Sequence, residues 1–218
     1  MITLTNVFLA YSKEFFALYD INLTLKKGDR LGIIGNEGSG RTSLLRAIAG
    51  LEPNASGELY IKDIAIKKVD FSTDVSLAFL SSKPVFMERK SVYENLSYIA
   101  AGRIKDRDAC AKLVNDTLIR FGILSLSSTR VDILTDAERK VVQIARAGLR
   151  DLDILLVDNG FEHLSPEDSA LVLTKMKILT ANKDLTLIIA TALPKALKGL
   201  VTDTKHMTFG SLTDEPTK

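Results

Sequence analysis

The segment Gly35-Asn36-Glu37-Gly38-Ser39-Gly40-Arg41-Thr42-Ser43 constrains the fold of this chain more than any other feature. It follows a short apolar run, Arg30-Leu31-Gly32-Ile33-Ile34, and leads into a helical stretch at residues 42–49 that stops at Gly50. A strand, a glycine-rich turn and a helix in that order are the context a phosphate-binding loop requires. Gly35, Gly38 and Gly40 let the backbone curl so that its N–H groups, those of Asn36, Ser39 and Ser43 among them, point inward at an anion. The helix adds its positive N-terminal end. Thr42 supplies a hydroxyl for Mg²⁺. Arg41 stands where lysine is usual, and it keeps the charge as a planar fork rather than a compact ammonium.

The remainder of the chain alternates strand and helix patterns. Residues 1–30 read as short strands with turns, and residues 21–25 alternate apolar and polar. Further strands are predicted at 57–61, 75–80, 154–158 and 185–191, and helices at 91–123 and 136–149, with Val92, Leu96 and Ile99 on one face. Ser165-Pro166-Glu167-Asp168 is a helix start, with a cap residue followed by proline. This order predicts an α/β fold with a mainly parallel central sheet. The tail after Gly210 is polar and predicted to lack order.

Composition narrows the functions. A net charge of +2, with both signs interspersed, gives no reason to expect a nucleic acid partner. The single cysteine, Cys110, excludes an internal disulfide and reads as a small buried residue. The start, Met1-Ile2-Thr3-Leu4-Thr5-Asn6, has no basic and apolar leader pattern, and no window approaches about 18 consecutive apolar residues. The chain is therefore expected to be cytoplasmic. His163 and His206 read as surface residues without a ligand role.

Several further motifs follow in order. Tyr11 precedes the loop. Ser82-Lys83-Pro84-Val85-Phe86, Ser91-Val92-Tyr93-Glu94-Asn95-Leu96, Leu134-Thr135-Asp136-Ala137-Glu138, Ile144-Ala145-Arg146-Ala147, Ile154-Leu155-Leu156-Val157-Asp158, Glu162-His163-Leu164-Ser165 and Ala190-Thr191-Ala192 come after it. In this sequence and spacing the chain resembles the ATP-binding cassette family over residues 2–210. The resemblance implies an ABC-type P-loop NTPase, with a mainly parallel core sheet, a small antiparallel β lobe and a helical subdomain at about 88–150. It implies a single domain over 1–210 with a polar tail at 211–218. Tyr11 would stack on adenine, Gly35, Asn36, Gly38, Ser39, Gly40, Arg41, Thr42 and Ser43 would hold the ATP phosphates, and Thr42 with Asp158 would hold Mg²⁺.

The departures fall on the hydrolytic step. The Q-loop glutamine is Ser82, the glutamate after the Walker B strand is Asn159, the H-loop histidine is Ala192, and the last D-loop residue is Ser165. Asn159 cannot accept a proton as a base, a loss that typically costs about 10²–10⁴-fold. No catalytic residue is assigned. The resemblance implies a subunit that binds ATP with weak or absent hydrolysis, held at the inner face of the membrane by a permease and working beside a second, more complete ABC ATPase subunit. A non-catalytic scaffold and a working ATPase stay open as alternatives. Phe86, Met87 and Val92 either line a groove for a permease helix or fill the helical subdomain's own core. Thr135 with Glu138 has the spacing of a capping box, and Asp136 and Glu138 put two carboxylates at that helix start. An ATP-driven homodimer is therefore not expected.

Overall fold

The computed structural model describes residues 1–12, 15–162 and 164–214. Along the chain these form β1 (Ile2–Ser12), β2 (Phe15–Leu25), β3 (Arg30–Ile34), α1 (Arg41–Ile48), β4 (Ser56–Ile61), β5 (Ile64–Ala65) and β6 (Leu77–Leu80). Then come α2 (Val92–Ala101), α3 (Arg107–Arg120), α4 (Asp136–Ala147), β7 (Ile154–Asp158), α5 (Pro166–Leu179), β8 (Thr186–Thr191), β9 (Asp203–Thr208) and β10 (Ser211–Thr213). Two compact units result, one of residues 1–82, 152–162 and 182–218, the other of residues 83–151 and 163–181.

The first unit holds two sheets. One is antiparallel, in the order β2-β1-β4-β5, and the other has six strands in the order β10-β9-β3-β8-β7-β6. In the larger sheet β3, β6, β7, β8 and β9 run parallel, and β10 alone is antiparallel, at the edge. Every residue of β7 and β8 is buried, which accounts for their unbroken apolar runs in the sequence. One core joins Ile2, Leu4, Val7 and Leu9 of β1, Leu18 and Ile21 of β2, Leu31 and Ile33 of β3, and Leu44, Leu45 and Ile48 of α1. Ile154, Leu156, Ile188 and Ala190 belong to it too, so the antiparallel sheet, α1 and one face of the parallel sheet share their apolar surface.

The short strands expected in residues 1–30 are two strands of eleven residues each. The register shifts between Leu4 and Val7, where Asn6 has a φ of 47°. That irregularity moves the buried positions from Ile2 and Leu4 to Val7 and Leu9, a change of parity that a period-two reading takes for a strand end. The tail expected without order begins with β10, which pairs Ser211 with Thr208 and Thr213 with His206. Among the described residues no helix is long and apolar enough to cross a membrane.

The second unit is helical. The stretch predicted as one helical region from residue 91 divides at residues 102–106, where Asp106 caps α3 by accepting from Ala109 N. Val92 and Leu96 are fully buried, whereas Ile99 is exposed and the last turn of α2 buries Ala100. Val92 thus serves the unit's own core, while Phe86 is half-buried between the guanidinium groups of Arg139 and Arg146, at 5.4 and 4.7 Å from its ring centre. Cys110 is buried, and α5 packs against α4. Phe121 is inaccessible and lies so close to Gly148 that a Cβ there would stand 2.6 Å from the ring. We expect Phe121→Ala to lower the unfolding free energy by about 3–5 kcal/mol, read from urea denaturation. A loss below about 1 kcal/mol would mean that the helical unit does not depend on this contact.

Candidate functional site

Register places the carboxyl ends of the parallel strands side by side. Ile34 pairs with Thr191, and Asp158 with Ala190. The phosphate loop, Asp158 with Asn159, and Ala192 therefore all start from one edge of the sheet, and Ser82 follows β6 on the same edge. The close approach of the loop to its surroundings requires glycine at two positions. A Cβ on Gly35 would lie 2.5 Å from Met207 O, and one on Gly40, whose φ is 104°, would lie 2.3 Å from Ala17 O.

The start of α1 differs from the starts of α2, α3, α4 and α5. Those four accept a side-chain cap, from Ser91, Asp106, Thr135 and Ser165. Gly40 at the start of α1 has no side chain to offer. Beside this bare end, the Ser39 hydroxyl and Arg41 Nη1 are buried without a hydrogen-bond partner. Helix N–H groups without a side-chain cap, a buried cation and a buried hydroxyl are together suited to an anion. Burial pushes the Arg41 guanidinium below its ordinary value, and Glu162, Asp158 and Glu37 act against that.

Asp158 is buried at the end of β7 and accepts from the Thr42 hydroxyl at 3.0 and 3.1 Å. These oxygens are hard ligands of the kind Mg²⁺ takes. Among the described residues no group of three or more His, Cys, Asp and Glu side chains is placed to hold a metal. A Mg²⁺ held by Thr42 and Asp158 would need phosphate and water oxygens to complete its shell. Asn159 follows with a φ of 50° and donates its N–H to Ala190 O at 2.9 Å. Asparagine tolerates this left-handed backbone better than glutamate does. Ala192 is exposed, and its N–H donates to Glu162 Oε1 at 3.0 Å.

Tyr11 sits on β1 with 56% of its surface exposed. Its hydroxyl is 3.2 Å from Ser43 Oγ and donates to Glu52 Oε1 at 3.1 Å. Glu52 also accepts from Arg46 Nε. The hydroxyl thereby ties Tyr11 to the helix of the phosphate loop while most of the residue stays exposed. His206 and Phe209 line a cleft with Gly35, Asn36, Ser39 and Ala192. Glu52 and Phe209 carry no signal in the sequence, and Glu162 is marked only as part of the D-loop motif, because their placement depends on segments distant in the chain.

In the helical unit, Thr135 caps α4 by accepting from Glu138 N at 3.2 Å, and Glu138 Oε2 accepts from Thr135 N at 2.9 Å. Both halves of the predicted capping box are present. Ser165 caps α5 by accepting from Asp168 N, with Pro166 at the first helical position. His163, in the D-loop motif, and residues 215–218 of the tail lie outside the described residues.

A glycine-rich strand-to-helix loop facing a strand-end acid across a parallel sheet defines a P-loop nucleotide-binding fold. The chain matches the family model described as ABC transporter over residues 18–162 and belongs to that family. It is 29% identical to the sn-glycerol-3-phosphate import ATP-binding protein UgpC of Psychromonas ingrahamii over 75% of this chain and 43% of that one. It is 26% identical to the methionine import ATP-binding protein MetN 1 of Oenococcus oeni over 97% and 62%. The chain thus spans about half the length of these relatives. Its fold matches a dimeric ATP-binding cassette solved in a post-hydrolysis state with ADP and phosphate, with a TM-score of 0.84, 20% identity and full coverage of both chains. It also matches cbiO1 of Clostridium perfringens, part of an ABC transporter complex, with a TM-score of 0.84, 22% identity and coverage of 98% and 88%.

The capping box has a stability consequence. Thr135→Ala should cost about 1 kcal/mol, measured by chemical denaturation. An unchanged midpoint would show that the helix start does not need its side-chain cap.

Proposed function

We propose that this chain is the ATP-binding subunit of an ABC import complex and that it binds Mg-ATP with weak or no hydrolysis of its own. The observation that carries this reading is the bare start of α1, with the Ser39 hydroxyl and Arg41 Nη1 buried and unpaired beside it. Triphosphate would fill that site, Tyr11 would stack on the base, and Thr42 with Asp158 would hold Mg²⁺. When bound, Mg²⁺ would neutralise phosphate charge. The import direction is supported by the names of the relatives, import ATP-binding proteins for methionine and sn-glycerol-3-phosphate. In this reading residues 1–210 act as one nucleotide-binding domain with its helical part near 88–150, located at the inner membrane face by a permease.

Weak hydrolysis is supported by three side chains at the sheet edge. Asn159 offers no base, Ala192 offers no side chain to a terminal phosphate, and Ser82 is short for contact with a metal-bound water. A complete second ATPase subunit would then supply turnover. The competing reading is a working ATPase in which other residues replace the missing ones, and the relatives' names as import ATP-binding proteins favour it. Titration calorimetry and phosphate-release assays separate these readings. We expect binding of Mg-ATP that Thr42→Ala weakens roughly tenfold, the equivalent of about 1.4 kcal/mol. Turnover should stay at background, about 10²-fold or more below a complete cassette. Turnover abolished by Asp158→Ala would establish the working ATPase, and a folded protein that ignores millimolar ATP would leave the scaffold reading.

The α4 start bears on assembly. The Glu138 N–H of its first turn is taken by the Thr135 hydroxyl, and Asp136 and Glu138 place acids there. A carboxylate about 4 Å from a phosphate charge repels it by about 4 kcal/mol at an effective dielectric of 20. We therefore expect no ATP-driven homodimer by light scattering in saturating Mg-ATP, and dimerisation once Asp136→Gly and Glu138→Gln are combined. A wild-type dimer dependent on ATP would refute this.

A further inference from the structure

Arg41 is the cation of the phosphate loop, and its side chain is 5% exposed. A buried guanidinium requires a counter-anion. Three acids are positioned to act on it, Glu162, Asp158 and Glu37, with Glu162 the strongest. Asp158 already accepts the Thr42 hydroxyl, and Glu37 is exposed on the loop. Glu162 is mostly enclosed, with 19% of its side chain exposed, and its Oε1 stands 3.8 Å from Arg41 Nη1. The same oxygen accepts the Ala192 N–H at 3.0 Å. One carboxylate oxygen therefore faces the phosphate-loop cation and the backbone N–H of Ala192 together, as an oxygen of a bound phosphate would.

The contact is loose. At 3.8 Å the pair is an electrostatic one, and Nη1 keeps its two hydrogens unused. Charge is neutralised while the strong, directional bond is left unmade. A phosphate oxygen entering the loop would satisfy Arg41 better than Glu162 does, but only after the carboxylate has withdrawn.

We propose that Glu162 is an internal counter-anion that competes with nucleotide phosphate for Arg41 and thereby sets the nucleotide affinity of the chain. The proposal rests on the ATP-binding reading of the loop. Loading exchanges one anion for another. The carboxylate leaves Arg41 and releases the Ala192 N–H as phosphate arrives. The affinity of the apo site is held down by the cost of that displacement.

Glu162→Gln isolates the charge, because an amide oxygen still accepts from Ala192 N–H. Calorimetry would compare wild type, Glu162→Gln and the exposed-acid control Glu37→Gln, using Mg-ATP, inorganic tripolyphosphate and adenosine as probes, alongside thermal unfolding of the ligand-free proteins. Glu162→Gln should bind ATP and tripolyphosphate roughly tenfold more tightly, a difference of about 1.4 kcal/mol, with adenosine unchanged. It should also lower the ligand-free Tm, because Arg41 loses its counter-anion. A purely structural role would weaken both binding and stability. Equal affinity in wild type and Glu162→Gln, or an equal gain in Glu37→Gln, would overturn the proposal and leave the binding reading standing. No binding of ATP or tripolyphosphate by either folded protein would overturn both.

Discussion

The parallel pairing of β3, β8 and β7 determines where chemistry can occur in this chain, since Ile34, Thr191 and Asp158 end their strands at matched heights. The phosphate loop leaves β3 from that edge, Asn159 continues β7, and Ala192 continues β8. A shift of one residue would turn Asp158 away from Thr42, because successive side chains leave a strand on opposite faces. The close approach of Met207 O to Gly35 depends on the same sheet, through the pairing of β9 with β3. The site is thus a consequence of sheet register first and of loop sequence second.

Charge at that edge is balanced internally. Arg41 is buried, and that burial lowers the pKa of its guanidinium while nearby acids raise it. The acids around it come from three segments: Glu37 on the loop, Asp158 at the end of β7 and Glu162 four residues later. Arginine reaches farther than lysine would from the same backbone position and spreads its charge over a plane. Its Nη1 stands 3.8 Å from Glu162 Oε1.

What the sequence revealed was local. The glycine-rich loop, the buried strand ending in Asp158 and the Thr135–Glu138 box each rest on residues within a single turn or strand, and the structure forms each of them. What it concealed was remote or irregular. The parity change at Asn6 hid the length of β1, in a region read only as short strands with turns. Glu52 is linked to Tyr11 across 41 positions, and Glu162 to Ala192 across 30. The helical unit joins residues 83–151 to 163–181, and no composition change marks that division.

Two helix starts summarise the physics of the family resemblance and its departures. Each helix begins with N–H groups that need partners. At α1 glycine withholds a side chain, and the donors remain available beside buried Ser39 and Arg41. At α4 the Thr135 hydroxyl takes the Glu138 N–H, the Glu138 carboxylate takes the Thr135 N–H, and Asp136 adds negative charge where an incoming anion would meet the helix dipole. The α1 start thus presents donors beside a buried cation, and the α4 start presents two carboxylates. A composite site built from the α1 start of one copy and the α4 start of another would set donors against carboxylates. The mismatch resides in side chains at the first turn of each helix, so it is a property of two copies of this chain and not of its pairing with a different subunit.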